Sequence, residues 1–208
     1  MSEVSVESLA AQVEALTRQL ADLQDRQAIR DVVVNYARSM DRLDRDLFLT
    51  TYHEDAVVDY GVFVGGRDAF YDWAAERASR DWYATHHLVG NHTVELDGDV
   101  AHAETYFIGS SLMKKGNPFT MYGGRYVDRL VKEDGKWSIA CRVLLTDWAL
   151  PAIPVDNGAS EGVPLNQFSP KERALAESRT MGRRDRQDVS YSRPLDIEAG
   201  RRSLASEA

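Results

Sequence analysis

The sequence predicts an α+β fold, a curved antiparallel sheet wrapped by N-terminal helices. Two observations carry it. Apolar residues recur every three or four positions through the first eighty or so residues, as on a helix face, and from Tyr83 onward they recur every second residue, as on a strand. Short Gly-bearing turns punctuate that second half, so consecutive strands pair as hairpins and the helices are left to cover one face.

The chain has 208 residues, 43% hydrophobic and 28% charged, an ordinary globular balance with room for one core and its appendages. A net charge of -8 argues against a phosphate backbone as partner, so no nucleic acid is expected. No apolar run is long enough for a membrane helix, and the N-terminus lacks a basic segment followed by an apolar one; no membrane association is expected. The single Cys141 cannot close an internal disulfide, which fits a cytoplasmic protein. No HExxH-like spacing is present, so no metal site is expected.

Taken in order, Leu9, Val13, Leu16, Leu20 and Leu23 alternate steps of four and three with polar residues between them. Residues 1–26 are therefore expected to form a helical arm lying on its own domain or on a neighbouring subunit. Ile29, Val32, Val33, Tyr36, Ala37 and Met40 form a second stripe, ended by Asp41 and a charged turn. Leu47-Phe48 opens a short helix reaching Tyr52-His53. Asp55 to Val64 alternates as a short strand or hairpin, broken at Gly65-Gly66, and Asp68 is placed as the cap of a helix through Trp73 and Ala78. Strands follow at about 85–97, 100–113, 118–133 and 136–148, joined by Asp97-Gly-Asp99, Lys114-Lys-Gly-Asn-Pro118 and Glu133-Asp-Gly-Lys136. The meander is expected to be wholly antiparallel.

In the last strand, strict alternation puts Trp137, Ile139, Cys141, Val143 and Leu145 on one face. Ala140, Arg142, Leu144, Thr146 and Trp148 fall on the other. Both faces are largely apolar, so one should meet the helices and the other a second subunit. Arg142 stands among apolar neighbours, and should either pair with a carboxylate (Asp41, Asp59 or Glu104) or serve a ligand. Residues 151–208 hold most of the prolines. There an extended wrapping tail is expected, with one helix opened by Ser169-Pro170 and a solvated Gly182–Arg186 run.

Three of the five histidines, His86, His87 and His92, lie on the first strand of the meander. Strict alternation places His87 and Asn91 on one face, His86 and His92 on the other, which excludes a zinc-like triad. His53 and His102 are read as surface residues. The aromatic residues Tyr52, Tyr60, Trp73, Trp82, Tyr83, Tyr106, Phe107, Tyr122 and Trp148 are expected around an apolar pocket. Of these, Tyr60, Trp82, Tyr106, Tyr122 and Trp148, with Asn91, are the candidate substrate contacts.

The order Tyr36-x4-Asp41, His87-x3-Asn91, Gly98-Asp99, Gly124-Arg-Tyr126, Asp134-Gly-Lys-Trp137 and Arg142 resembles the SnoaL-like branch of the nuclear-transport-factor-2-like superfamily, over about residues 20–150. The resemblance implies a cone-shaped α+β barrel for residues 27–150. It also implies the chemistry of the cofactor-free lyases in that branch: a hexachlorocyclohexane dehydrochlorinase, scytalone dehydratase, a bile-acid dehydratase and diarylpropane lyases. By that resemblance Asp41 would orient His87 as a base, and Arg142 would lie in the pocket. Tyr36 matches the bile-acid dehydratase, whereas the dehydrochlorinase has lysine there, which speaks against halide elimination. No cofactor and a homotrimer are further implications.

The physical case agrees in kind. A carboxylate holds an imidazole in one tautomer and stabilises it once protonated. Tyr36 is either a core aromatic of the helix stripe or a hydroxyl donor to developing charge, and Arg142 could bind a phenolate or oxyanion. Three functions follow. The first is a lyase on a hydrophobic aromatic substrate, losing water or formaldehyde, with a diarylpropane lyase giving a stilbene as the most specific form. The second is a dehydratase or isomerase of a steroid-like or polyketide substrate. The third is a non-catalytic binding module, in which Asp41 and His87 would not touch or side chains would fill the pocket.

Overall fold

The computed structural model describes residues 5–116, 118–150, 153–154 and 185–187. The expected helix from Ser169-Pro170 and the wrapping course of the tail lie outside these residues.

The first helix is continuous, α1 from Val6 to Arg42, capped by the Ser5 hydroxyl accepting from the Ser8 amide at 3.2 Å. The two stripes of the sequence divide it. Leu9, Val13, Leu16, Leu20 and Leu23 are at least half exposed, whereas Ile29, Val33, Tyr36 and Met40 are buried against the sheet. Asp25 pins the junction, its Oδ1 accepting from Lys132 Nζ and Trp137 Nε1 at 2.8 Å each. The arm does not lie on its own domain over Val6–Leu23. Leu43 ends the helix in the left-handed conformation, its amide returning to the Ser39 carbonyl.

A short α2 (Arg45–Leu49), capped by Asp44, turns the chain into β1 (Tyr52–Asp59), so Tyr52 and His53 begin a strand rather than end a helix. β2 (Val64–Gly66) folds back on β1. The helix α3 (Arg67–Asp81) has Gly66 at its N-cap without a side-chain bond; Asp68 falls in the first turn and pairs with Arg45 at 2.6 Å. The meander is β3 (Trp82–Asp97), β4 (Val100–Met113), β5 (Pro118–Glu133) and β6 (Lys136–Ala149). A two-residue β7 (Ile153–Pro154) pairs with the start of β5.

Sheet order is β2-β1-β6-β5-β4-β3, and β1 runs parallel to β6, which corrects the expectation of a wholly antiparallel sheet. Hairpin turns dictate antiparallel pairing only between neighbours in sequence; β1 and β6 meet across an intervening helix and four strands, so no turn sets their direction. The core lies between this sheet and the three helices, around Ile29, Val33, Phe48, Phe70, Leu130 and Ile139.

Two bulges change which residues face that core. In β3 the register slips between Val89 and His92, and in β6 one extra residue, Ala140, lies between Ile139 and Cys141. Each reverses the alternation beyond it. Along β3 the less exposed residues are Thr85, His87 and Val89, then His92, Val94 and Leu96. Along β6 the inward set is Trp137, Ile139, Arg142 and Leu144, not the strictly alternating one expected from sequence.

Candidate active site

α1 ends where β3 begins to face it, and this brings Asp41 against His87. Asp41 Oδ1 lies 2.7 Å from His87 Nδ1, and Oδ2 accepts from the His87 amide at 3.0 Å. The carboxylate thus grips both the ring and the backbone of one residue, fixing ring orientation and the Nδ1–H tautomer. Both side chains are nearly buried, at 13% and 14% exposed. Burial alone would push the Asp41 carboxyl up, but the hydrogen bonds and charge of His87 outweigh it, and the carboxyl lies below its ordinary range. His87 Nε2 has no hydrogen-bond partner among the described residues. It is the nitrogen left to exchange a proton.

Tyr36, Tyr60, Tyr126 and Arg142 form a buried cluster, and a fourth phenol, Tyr122, is within electrostatic reach of both Asp41 and Tyr36. Tyr36 Oη and Tyr60 Oη share a very short hydrogen bond. Tyr122 lies over Gly109, the residue paired with His87 across the ladder; a Cβ at 109 would come within 2.6 Å of Tyr122 Cζ. Glycine is required there so that the ring can lie flat against the strand. Tyr126 stacks on Phe107 with centroids 4.3 Å apart and meets Tyr36 edge-on. Burial pushes Tyr36, Tyr60 and Tyr126 well above the ordinary phenol value, so they stay protonated and act as donors.

Arg142 is fully buried. Its guanidinium carbon lies 4.2 Å from the ring centroids of both Tyr36 and Tyr126. Nε and Nη2 donate to the two Asp128 oxygens at 2.7 Å each. The partner is none of Asp41, Asp59 or Glu104. Among the described residues neither Nη1 nor the buried Tyr52 hydroxyl has a partner at hydrogen-bond geometry, and the two groups interact electrostatically with each other.

The remaining sequence candidates separate. Asp41 and His87 meet; Tyr36, Tyr60 and Arg142 gather in a buried cluster of their own, and Tyr122 is within electrostatic reach of both Asp41 and Tyr36. Asn91 does not: the β3 bulge turns it outward, where it lines a shallow hollow with Leu88, Tyr106, Ile108 and Trp148 on the opposite sheet face. Tyr106 and Trp148 therefore leave the interior with it, both more than two-fifths exposed. Trp82 stands at the head of β3, half-buried, five residues along the strand from His87. His92 turns inward, its Nδ1 2.7 Å from Thr105 Oγ1. His53 is partly covered and paired with Glu133 at 3.2 Å rather than free at the surface. Asp128 and Tyr126 were the residues missed. Tyr126 lies in the Gly124-Arg-Tyr126 motif, and its i+2 spacing from Asp128 on one strand face is the sequence signal for the pair.

A SnoaL-like domain model matches residues 21–143, and the chain belongs to that family. A terrestric acid biosynthesis cluster protein of Penicillium crustosum is 31% identical over 135 residues, covering 61% of this chain and 85% of that protein. An uncharacterised Mycobacterium tuberculosis protein is 26% identical over 128 residues, covering 60% and 86%. Among solved structures, a hexachlorocyclohexane dehydrochlorinase of Novosphingobium barchaimii superposes with a TM-score of 0.59 at 18% identity, over 64% of this chain and 93% of that one. A Novosphingobium aromaticivorans protein provisionally described as a scytalone dehydratase gives 0.59 at 23%, over 67% and 98%. These structures establish the nuclear-transport-factor-2-like fold.

Proposed function

We propose that the protein is a cofactor-independent lyase acting on a hydrophobic aromatic substrate, with His87 as base and Asp41 as its orienting partner. The observation that carries this is the doubly bonded Asp41–His87 pair, whose Nε2 has no hydrogen-bond partner among the described residues. Tyr36 and Tyr60 supply hydroxyl donors for a leaving oxygen or a developing phenolate, and Tyr122 walls the site over Gly109. Arg142, held by Asp128, supplies positive potential from behind the Tyr36 and Tyr126 rings. A module that only binds ligands has no use for an imidazole held in one tautomer, so the dyad contact favours catalysis over that reading.

The specific reaction proposed is on a diarylpropanediol. The substrate phenolate expels the benzylic hydroxyl as water, forming a quinone methide. His87 Nε2 then takes the γ-hydroxyl proton, the Cβ–Cγ bond breaks to release formaldehyde, and its electron pair forms the alkene as the ring regains aromaticity. The products are a stilbene, water and formaldehyde. Incubation with such a diol should give the stilbene absorbance and one formaldehyde per turnover, and His87→Ala should reduce the rate about 10²–10⁴-fold. A folded His87→Ala variant with full turnover overturns the base assignment.

A second reading, dehydratase or isomerase of a polyketide-like substrate, is favoured by the 31% identical relative from a biosynthesis cluster. Product identity separates them: formaldehyde is released only in the first.

A further inference from the structure

The N-terminal half of α1 presents an apolar stripe that its own domain does not cover. Val6, Leu9, Val13, Leu16, Leu20 and Leu23 are between 50% and 81% exposed. At 100° per residue the stripe centres about 160° around the helix from Ile29, Val33, Tyr36 and Met40, so it points away from the sheet that α1 packs on. Spacing of three and four throughout gives a heptad assignment with Val6, Val13 and Leu20 at a and Leu9, Leu16 and Leu23 at d.

We propose that this arm pairs in parallel and in register with the arm of a second copy of the chain. Valine at two of the three a positions, with leucine at every d, leans toward the combination that favours two parallel strands. Charge placement agrees with an identical partner. The flanking e and g positions are Ala10, Gln12, Thr17, Gln19, Gln24 and Arg26, so no like charges oppose one another. Arg26 is already held by Asp22 at 2.7 Å and the Val94 carbonyl at 2.6 Å. The other charges fall on the outer positions, where Glu14 and Arg18 pair within one helix at 2.5 Å. Three heptads are short for a free coiled coil, but this helix does not nucleate unaided: residues from Asp25 onward are pinned to the folded domain. Twelve such aliphatic side chains withdraw on the order of 1,000 Å² from water, at the lower end of specific interfaces.

The test is oxidative cross-linking of the full chain with Leu9→Cys in a Cys141→Ser background, against Ala11→Cys on the outer side of the same helix. A parallel pair places Leu9 beside Leu9 of the second copy. Covalent dimer at position 9 at least ten-fold above that at position 11, lost when Leu16→Glu and Leu20→Glu are added, supports the proposal. Equal cross-linking at 9 and 11 overturns it. So does cross-linking only between Leu9→Cys and Leu20→Cys chains, the signature of an antiparallel pair. No cross-link at all, as expected of an arm seated on another protein or on a neighbour's body, overturns it too. Circular dichroism on each variant separates loss of pairing from loss of helix.

Discussion

Asp41 does two jobs for one neighbour, and its ionisation is tied to folding through both. Its folded pKa is depressed, so it contributes stability above the unfolded value and loses it as pH falls through the folded one. The stability gap between the wild type and Asp41→Asn, measured by urea unfolding, should therefore be widest near neutrality and close as pH falls below about 4. Arg142 poses the opposite problem, a buried cation whose anionic contact among the described residues is Asp128. Asp128→Asn should cost about 3–5 kcal/mol in the same assay, because it leaves an uncompensated charge between two rings. The Asp41–His87 pairing came from the order of motifs and not from any local pattern, since 46 residues separate the partners. That Arg142 required a carboxylate followed from burial alone; which carboxylate did not. The bulge at Ala140 set the register that puts Asp128 opposite Arg142.

At the level of elements, the meander was readable because its turns are. Asp134-Gly135 and Gly98 adopt the positive φ that such turns demand, and the four long strands fall within three residues of the expected bounds. Faces were less readable. Alternation assigns a face only while the ladder is regular, and β3 and β6 each carry two register shifts that the sequence does not announce. Asn91, His92 and Arg142 all stand beyond such a point, which is why the first two exchanged sides. Gly109 shows the reverse dependence, an element shaped around one ring. Gly109→Ala should drive Tyr122 away from the strand at about 1–3 kcal/mol in stability, visible as a changed near-ultraviolet circular dichroism signal with the far-ultraviolet spectrum preserved.

For the molecule as a whole, the outer sheet face is the second unsatisfied surface. Leu88, Tyr106, Ile108, Val127, Leu145 and Trp148 are all more than a third exposed there, around an Arg125 held by Asp147 at 2.9 Å and Glu104 at 3.2 Å. An apolar patch of this kind with a charged cluster suits a subunit contact. We propose self-association through it, with three copies as the expected mass in light scattering once Leu16→Glu and Leu20→Glu abolish pairing of the arms. Tyr106→Glu with Leu145→Glu should lower that mass without unfolding the chain. Away from that face, the tail is seen at Asp185–Gln187, where Arg186 reaches Asp44 at 3.2 Å and Asp46 at 3.0 Å, beside the elbow that follows Asp41. The run expected to be solvated is partly tethered.

The unbroken hydrogen-bond ladder of α1 also makes the arm and Asp41 parts of one rotor. Angular position is carried along a helix residue by residue, so the number of residues between Leu23 and Ile29 sets the arm's bearing as a thread sets a screw. Removing two residues there would turn the arm by about 200° and swing its leucines over the domain, while Asp41 kept its grip on His87. The length of that short junction, more than its composition, decides which way the molecule reaches.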